Sequence, residues 1–585
     1  MNIAVPAVAT ASDAIDAAYP AWVHAHDTLS EADHDAILAD IARMPEPPML
    51  SLLLPIGFAA ADRLLDTLAT LRLQLYPHWE LCVAGVPPSP DVLAALTTAD
   101  PRLRVVDRRR HAEPAAAATF ALAHAQGRHV ILLAEGDRLP VHALYELATE
   151  LARFPQTDLL YTDEDLIDGN GVRSTPRFKT GWDPDLLLSG DYIGGIAVYA
   201  RAAIEAAGGL RTGFGAAFGY DLALRATAQM MPDRIRHLPA VLLHRPTETP
   251  RSLRDRALGP EANAIRHAAR DFLGPAAEVS PAPLLPSCNR ITWPLPSPPT
   301  VSVIMPTRDR SDLFAPAAWG VLQRTDYPGM ELLIVDNDSR EEQTQATFRA
   351  LESQPGVRVL RHSGRFNFAA IANAAVREAS GQIIVLLNND IDVIHPDWLR
   401  EMVSHAVRPD VGAVGAKLLY ADGQVQHGGV VLGPGLNATH VHRLVARHDT
   451  GYRGQLAVTR SYSAVTAACM AMRRSVYVEV GGMDDTGFGV AFNDVDLCLR
   501  LGERGYRVVW TPFAELFHME SKSRGTADTE QKAAQERREI DLLWRLWRHA
   551  LDCDPFMNPN LRCSWLEPLQ LCPPRRRKPW QRFDT

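Results

Sequence analysis

Short apolar runs alternate with segments of helical periodicity along most of the chain. Runs at 49–55, 80–84 and 129–134 predict strands, and residues 63–75 and 115–125 between them have the spacing of amphipathic helices. Alternating strands and helices are typical of βαβ units with right-handed crossovers. The pattern therefore predicts an α/β fold with a mostly parallel, Rossmann-like sheet.

The clearest strand lies in the second half, where apolar residues at 383–387 end abruptly at Asn388-Asn389-Asp390. An unbroken apolar run is typical of a strand buried on both faces of a parallel sheet. Ligands bind at the ends of such strands in open α/β sheets, and a carboxylate there suits a divalent cation. An acidic turn is the competing interpretation, because Asn and Asp are ordinary turn residues. For Asp392, two positions further on, we favour the turn.

The order of features in the first half recurs in the second. The shared landmarks are three strand ends, a Gly-Gly pair, an Asp-Leu-x-Leu-Arg segment and an apolar run that ends in His. The Asp-Leu-x-Leu-Arg segments begin at Asp221 and Asp496, and the final histidines are His244 and His518. We predict two tandem copies of one α/β domain.

Shifts in composition divide the chain further. We expect an N-terminal helical extension at 1–47, a first α/β domain at 48–274, a proline-rich linker at 275–300, a second α/β domain at 301–528, and a C-terminal helix with a basic tail at 529–585. Ser30 is the expected N-cap of a helix over 29–43. The prolines of the linker predict a stiff and extended connector.

Bulk properties limit the classes of function. At 585 residues the chain is too long for a single core, and its net charge of −9 gives no support to a nucleic-acid-binding protein. The 7 cysteines include no C-x-x-C pair, which indicates reduced thiols rather than disulfides or a zinc site. The N-terminus lacks a secretory pattern, and no run reaches the roughly 20 apolar residues of a membrane span. We therefore expect a cytoplasmic protein, or one that lies on the inner membrane without crossing it.

The C-terminal tail allows two interpretations. It carries Trp565, Trp580 and a basic run at 575–578, after a helical segment from about 529 to 551. A basic, tryptophan-bearing end can lie on an anionic membrane. We favour a packing helix with a solvated tail, since tryptophan usually lies in a core or an interface.

In the second copy, polar side chains stand at the ends of four apolar elements: Asp336, Asp390, Asp494 and His518. Asp336 can accept hydrogen bonds from a base or ribose, and Asp390 can hold a hard cation that neutralises a diphosphate. His518 as a further ligand would favour Mn²⁺ over Mg²⁺. Asp494, at a helix start, can act as a general base toward a hydroxyl group. The plainer alternatives are a helix N-cap for Asp494 and a hydrogen-bonded core histidine for His518.

Together these motifs resemble an inverting family 2 glycosyltransferase of the GT-A fold. The resemblance covers residues 301–525 and rests on the segments 303–308, 334–339, 387–390, 492–500 and 518–525. Residues 49–250 also resemble this family. The implied architecture is two tandem GT-A-like domains, with Rossmann-like and mostly parallel sheets, followed by a C-terminal helical segment.

The resemblance also implies roles for individual residues. It implies a nucleotide-sugar-binding set made of Pro306, Thr307, Arg308, Asp336, Asn388, Asn389 and Asp390. It places Asp390 and His518 on a divalent metal, Mn²⁺ or Mg²⁺, and makes Asp494 the catalytic base. Two positions depart from the family pattern: Asn388 stands where the metal motif has its first Asp, and Asn493 replaces the Glu that usually precedes the base.

The implied reaction is a single displacement. Asp494 takes a proton from an acceptor hydroxyl, whose oxygen attacks the anomeric carbon of a nucleotide-activated sugar. The nucleoside diphosphate leaves, stabilised by the metal on Asp390. The implied partners are a nucleotide-sugar donor and a glycan or lipid-linked saccharide acceptor, in the synthesis of a bacterial surface polysaccharide such as an O-antigen.

The first copy has lost most of this set. Gly85-Val86 stands where the second copy has Asp336-Asn337, and Gly219 stands opposite Asp494. A glycine cannot act as a base, so we predict a catalytically silent domain that serves as a scaffold or holds the acceptor. Residues 163–165 and His244 survive, which leaves weak binding open.

Three alternatives remain. Both domains could be active on different linkages, or the chain could be a glycan- or nucleotide-binding scaffold without activity. The intact set in the second copy argues against the scaffold. A nucleotidyltransferase would need a Gly-rich, basic loop for a nucleoside triphosphate, and neither copy opens with one.

Overall fold

The computed structural model describes residues 11–97, 100–247, 259–433, 437–519, 530–564 and 567–581. The N-terminal extension forms two helices, α1 (Ala11–His26) and α2 (Glu31–Ile41). Ser30 caps α2 as predicted: its hydroxyl accepts from the Asp33 N–H, and the Asp33 carboxylate accepts from the Ser30 N–H. Helix α1 contains Pro20 and was not predicted.

The first sheet contains strands β1 to β8 and its domain contains helices α3 to α10. Their bounds are β1 (Leu50–Ile56), α3 (Ala61–Arg72), β2 (Trp79–Gly85), α4 (Pro90–Leu96), β3 (Leu103–Asp107), α5 (Pro114–His124), β4 (His129–Leu132), α6 (Ala143–Arg153), β5 (Leu159–Ile167), β6 (Arg173–Arg177), α7 (Pro184–Ser189), β7 (Ala197–Ala200), α8 (Arg201–Ala206), α9 (Phe218–Thr227), β8 (Ile235–Pro246) and α10 (Pro260–Leu273). The strand order is β3-β2-β1-β4-β7-β5-β6, and β8 pairs with β5.

The proline-rich segment is not a single extended connector. Its residues form an antiparallel hairpin of β9 (Glu278–Pro281) and β10 (Asn289–Thr292). The turn is closed by the Ala282 N–H, which donates to the Cys288 carbonyl over 2.9 Å. Several prolines lie in this turn, where no strand N–H is needed, so their number did not prevent pairing.

The second sheet and its domain follow. The bounds are β11 (Val301–Thr307), α11 (Ser311–Arg324), β12 (Met330–Asp336), α12 (Glu342–Glu352), β13 (Val357–Arg361), α13 (Phe368–Glu378), β14 (Ile383–Leu387), β15 (Ile391–Val393), α14 (Trp398–Ala406), β16 (Val411–Leu419), β17 (Val425–His427), β18 (Val430–Gly433), β19 (Asn437–His440), β20 (Arg460–Ser461), β21 (Cys469–Arg473), α15 (Arg474–Glu479), α16 (Asn493–Glu503) and β22 (Arg507–His518). The main strand order is β13-β12-β11-β14-β21-β16-β22-β15.

The two sheets confirm the tandem repeat. In each sheet the first four strands are parallel and lie in the order third, second, first, fourth. An antiparallel strand comes next, β7 or β21. A parallel pair follows it, β5 with β8 in the first sheet and β16 with β22 in the second. Matching ion pairs join Asp221 to Arg225 and Asp496 to Arg500, one helical turn apart. All five residues of β14 are buried, as expected for a central strand.

The C-terminal segment forms α17 (Glu530–Asp552) and a small hairpin of β23 (Leu561–Arg562) and β24 (Gln570–Leu571). Trp580 is buried and its indole N–H donates to Asp33 over 2.6 Å, while Arg576 pairs with Glu146. The tail therefore packs on α2 and on the first domain, so it is not the solvated tail that we favoured. Residue 529, where the helix was predicted to start, and Trp565 lie outside the described residues. Within the ranges that the structure describes, no helix is long and apolar enough to cross a membrane.

Candidate active site

The predicted site residues of the second domain lie at one edge of its sheet. Strands β11 and β12 run parallel and end together, with Thr307 beside Asp336. Strand β14 ends at the residue before Asn388, and His518, the last residue of β22, pairs with Ile391. The Asn389 side chain donates to the Thr307 hydroxyl over 2.9 Å. Pro306 is half-buried beside this contact, and Arg308 is exposed.

Asp336 is a buried carboxylate held in a fixed orientation. One oxygen accepts the Ser339 N–H over 2.9 Å, and the other is paired with Arg361 at the end of β13. Asn337, next to it, donates to the carbonyls of His362 and Gly364. The strand ends therefore form a polar crevice whose wall is ordered by backbone contacts.

Asp390 and His518 meet across the crevice. The His518 Nε2 lies 3.2 Å from the Asp390 Oδ1 and 3.0 Å from the Asn388 side-chain nitrogen. The other ring nitrogen, Nδ1, donates to the Gln426 Oε1 over 2.6 Å. In the neutral imidazole this leaves the lone pair of Nε2 facing Asp390, the orientation of a metal ligand. Asn388, which replaces an acid in the family pattern, donates to that lone pair.

Asp494 lies in the first turn of α16 without serving as its N-cap. The cap position is Phe492, in a left-handed conformation (φ 58°) and without a side-chain cap. One Asp494 oxygen accepts the Val495 N–H over 2.9 Å, and the other accepts the Ala467 N–H over 3.0 Å. The next carbonyl, of Ala468, accepts the Asn388 N–H. Ala467 and Ala468 therefore fix the position of the candidate base Asp494 relative to the candidate metal motif at 388–390.

Asp392 is neither a turn residue nor part of the crevice. It lies in strand β15 and forms an exposed ion pair with Arg324 on α11. The turn interpretation was wrong because 391–393 pairs with β22, which the local sequence does not indicate. Residues 520–525, which contributed to the family resemblance, lie outside the described residues.

Several contributors were not found from the sequence. Gln426 orients His518, and Glu539 of α17 accepts the N–H groups of Val490 and Ala491 just before α16. His427 is buried near the site, and burial, with His440 and His518 close by, lowers its pKa well below the usual range. These side chains come from distant parts of the chain, so no local motif identifies them.

The corresponding edge of the first domain is filled by its own side chains. The Glu135 carboxylate accepts three successive N–H groups, those of Gly57, Phe58 and Ala59, at the end of β1. Such a cluster of amides is a typical anion site. Here a side chain of the same domain occupies it.

The surviving acidic residues of the first domain are also engaged. Asp165 contacts His244 over 2.6 Å, Arg173 over 2.6 Å and the Tyr19 hydroxyl over 2.8 Å. Glu164 is buried beside Lys179, 3.1 Å away. Burial alone would raise the pKa of Glu164, but Lys179, Arg245 and Arg177 lower it to about 2. This carboxylate is therefore committed to ion pairs.

Comparison with known proteins finds a family match within the second domain. The model of glycosyl transferase family 2 matches residues 302–481. This match lies within the second domain and covers the strands from β11 to β21, and the chain as a whole is an α/β protein with two mixed, mostly parallel sheets.

Two curated proteins are similar to most of this chain. The O-antigen biosynthesis protein RfbC of Myxococcus xanthus is 38% identical over 557 residues, which are 93% of this chain and 42% of RfbC. The uncharacterized protein y4gI of Sinorhizobium fredii is 39% identical over 531 residues, 89% of this chain and 58% of that protein. The chain thus spans about half the length of these relatives. Most of the chain is therefore similar to an O-antigen biosynthesis protein, and part of its second domain matches glycosyl transferase family 2.

More distant matches are shorter. N-acetylglucosaminyl-diphospho-decaprenol L-rhamnosyltransferase of Mycobacterium tuberculosis is 26% identical over 228 residues, 36% of this chain and 72% of that enzyme. Among solved structures, GalNAc-T7 with UDP, GalNAc and Mn²⁺ matches 45% of this chain and 51% of its own at a TM-score of 0.37 and 14% identity. The mannosyltransferase PcManGT from Pyrobaculum calidifontis with GDP-Man and Mn²⁺ matches 50% and 74% at a TM-score of 0.33 and 19% identity.

Proposed function

We propose that the second domain, 301–528, transfers a sugar from a nucleotide-sugar donor to a glycan or lipid-linked acceptor during synthesis of a bacterial surface polysaccharide. The observation that carries this proposal is the convergence of Asp336, Asp390, Asp494 and His518 at one sheet edge. The similarity to RfbC supports a role in polysaccharide synthesis. The similar rhamnosyltransferase is named for a lipid-linked saccharide substrate, which supports an acceptor of that kind.

The crevice fits a divalent metal. Asp390 and His518 supply a carboxylate oxygen and an imidazole nitrogen 3.2 Å apart, a mixed donor set that suits Mn²⁺ better than Mg²⁺. Among the described residues no cluster of three or more His, Cys, Asp or Glu side chains is arranged for a metal. Asp390 and His518 would hold the ion, since metals in phosphate-transferring sites often have only one or two protein side chains as ligands. When bound, the metal would neutralise charge on the departing diphosphate.

The protein side chains would carry the remaining chemistry in an inverting displacement. Asp336 would accept hydrogen bonds from the nucleotide, and Thr307 and Asn389 would line the donor site next to it. Asp494 would take the proton of the acceptor hydroxyl as its oxygen attacks the anomeric carbon. The backbone contact of Asp494 with Ala467 holds its carboxylate before the acceptor arrives, and such preorganisation favours the transition state.

We further propose that the first domain is not a second transferase. Gly219 stands at the position of the base, and Glu135 covers the amide cluster where a phosphate could bind. If both domains were active, the first would need another residue as its base and another site for the donor phosphates.

A donor panel of UDP-, dTDP- and GDP-sugars tests the proposal. We expect Mn²⁺-dependent binding and slow hydrolysis of one donor. The Asp494→Asn variant should lose hydrolysis and transfer by at least about a hundredfold while it still binds the donor. The matched control is Glu503→Gln, an exposed residue at the other end of α16. No response to any donor would reject the enzyme, and full transfer by Asp494→Asn would move the activity to the first domain.

A further inference from the structure

A cleft of about 420 Å³ lies between the two domains, apart from the candidate active site. Its wall is formed within 177–192 of the first domain, 285–288 of the hairpin and 450–458 of the second domain, with Ser12 of α1. The volume lies in the range of roughly 300–1,000 Å³ typical of small-molecule sites, which often occur between domains.

The three cations that line this cleft already have acidic partners. Lys179 donates to Glu164 over 3.1 Å, Arg177 lies 3.5 Å from the same carboxylate, and Arg453 is paired with Asp16. An anionic ligand would have to compete with these carboxylates. The charge balance therefore favours an uncharged polar ligand.

Buried polar atoms lie in and behind the wall. Arg460, next to the wall residues in the chain, is fully buried and its charge is compensated by the nearby Asp183 carboxylate, but within the described ranges none of its three guanidinium nitrogens has a hydrogen-bond partner. Three further buried hydroxyl groups also have no hydrogen-bond partner among the described residues, those of Thr180, Thr459 and Tyr462. Thr180 lines the cleft, and the Thr459 carbonyl accepts from Ser189, which also lines it. Because buried polar groups are nearly always hydrogen-bonded, this region requires water or a polar ligand.

The cleft is joined to the candidate active site by one segment of chain. Val458 lies in its wall, and Ala467 further along the same segment donates its N–H to Asp494. This segment spans at most about 30 Å even when fully extended. A chain of linked sugars can reach across such a distance, whereas one sugar cannot.

We propose that this cleft binds neutral sugar units of a growing glycan acceptor, at a distance from the sugar that receives the new residue. This inference rests on the proposed function. Sugars present many hydroxyl groups together with apolar ring faces. The wall matches both, with Tyr192 and Phe178 beside the polar side chains of Gln455 and Asp191.

A glycan array with neutral and anionic oligosaccharides, followed by titration calorimetry with the strongest neutral binder, tests the inference. We expect binding by neutral oligosaccharides. The Ser287→Trp variant, which places a bulky ring in the cleft, should weaken it by at least about tenfold. Leu284→Trp is the matched control, since this exposed residue belongs to the same hairpin turn but not to the cleft wall. If Ser287→Trp does not fold, Arg177→Gln serves instead, with a smaller loss expected.

Binding by anionic oligosaccharides alone, no binding at all, or binding that is unchanged in both cleft variants would overturn the inference. Donor hydrolysis is measured on the same variants and should stay unchanged, because the cleft shares no residue with the donor site. If the unaltered protein binds saccharides but hydrolyses none of the donors, the proposed function alone is rejected.

Discussion

Asp390 and Asp392 are the same residue type two positions apart, yet they have different surroundings. The Asp390 side chain is buried against His518, whereas the Asp392 side chain is exposed and pairs with Arg324. Asp390 precedes strand β15, whereas Asp392 lies within it. The difference gives a matched pair for mutagenesis.

We expect Asp390→Asn to lower Mn²⁺ affinity by at least about tenfold and to abolish metal-dependent donor hydrolysis, because a neutral amide is a poorer ligand for a hard cation. Asp392→Asn removes the same charge on the surface and should leave both unchanged. Manganese titration followed by electron paramagnetic resonance measures the affinity. Equal effects of the two substitutions would contradict the assignment of Asp390 as a ligand.

Gln426 offers a subtler test of the same site. Its carbonyl oxygen accepts from Nδ1 of His518 and so directs Nε2 toward Asp390. We predict that Gln426→Leu lowers metal affinity by about 10–100-fold, the usual effect of losing the partner that orients a metal-binding histidine. Gln424→Leu, a half-buried neighbour, is the control. An unchanged manganese affinity in Gln426→Leu would show that His518 is not a ligand.

At the scale of elements, the C-terminal helix supports the helix that carries Asp494. Glu539 on α17 accepts the N–H groups of Val490 and Ala491, and Trp547 donates to Asp496 over 3.0 Å. Helix α16 has no side chain of its own at the cap position. The order of its first turn therefore depends on α17.

We predict that Glu539→Ala lowers kcat by about tenfold without changing donor affinity, because the two freed N–H groups no longer fix the approach to Asp494. The cost in stability should be about 1–3 kcal/mol. Glu536→Ala, on the exposed side of the same helix, should be neutral. Steady-state kinetics and donor titration separate the two effects, and a change in donor affinity with unchanged kcat would contradict this role.

The sequence predicted best those elements whose defining residues lie close together along the chain. Strand β14 needed only its apolar run, and α2 needed only Ser30 and the spacing after it. The hairpin at β9 and β10 was missed because proline content is a poor guide where prolines can lie in the turn. The site followed the same rule: Asp390 and Asp494 stand in recognisable motifs, whereas Gln426 and Glu539 are defined only by contacts across the fold.

At the scale of the whole molecule, the two domains are joined by buried polar contacts. Asp185 of α7 pairs with Arg408, 2.6 Å away, and with Arg507 in the second domain. The Tyr452 hydroxyl accepts the Phe178 N–H and donates to the Pro176 carbonyl. The Asp183 carboxylate accepts the Ser461 N–H. Such contacts fix one domain against the other and shape the cleft between them.

Asp185 allows this coupling to be measured. Burial alone would raise its pKa, but Arg408 and Arg507 hold the pKa well below its usual range. Because the folded pKa is depressed below the unfolded value of about 3.9, the contribution to stability is complete above that pH and is lost as the pH falls further. We therefore expect Asp185→Asn to lower the free energy of unfolding by about 3–5 kcal/mol at pH 7, since two buried guanidinium groups lose their carboxylate.

The difference between Asp185→Asn and the unaltered protein should stay constant from pH 8 to pH 5, and denaturant unfolding at each pH measures it. Asp158→Asn removes a partly exposed ion pair within the first domain and should cost at most about 1 kcal/mol. We also expect Asp185→Asn to separate the unfolding of the two domains into distinct transitions, because the pair crosses the domain interface. Below about pH 4 the difference should shrink, because the unfolded state then binds a proton that the folded state does not. A difference that stays constant as the pH falls from about 4 to about 2 would mean that the pKa of Asp185 is near its ordinary value and that the two arginines do not hold the domains together through it.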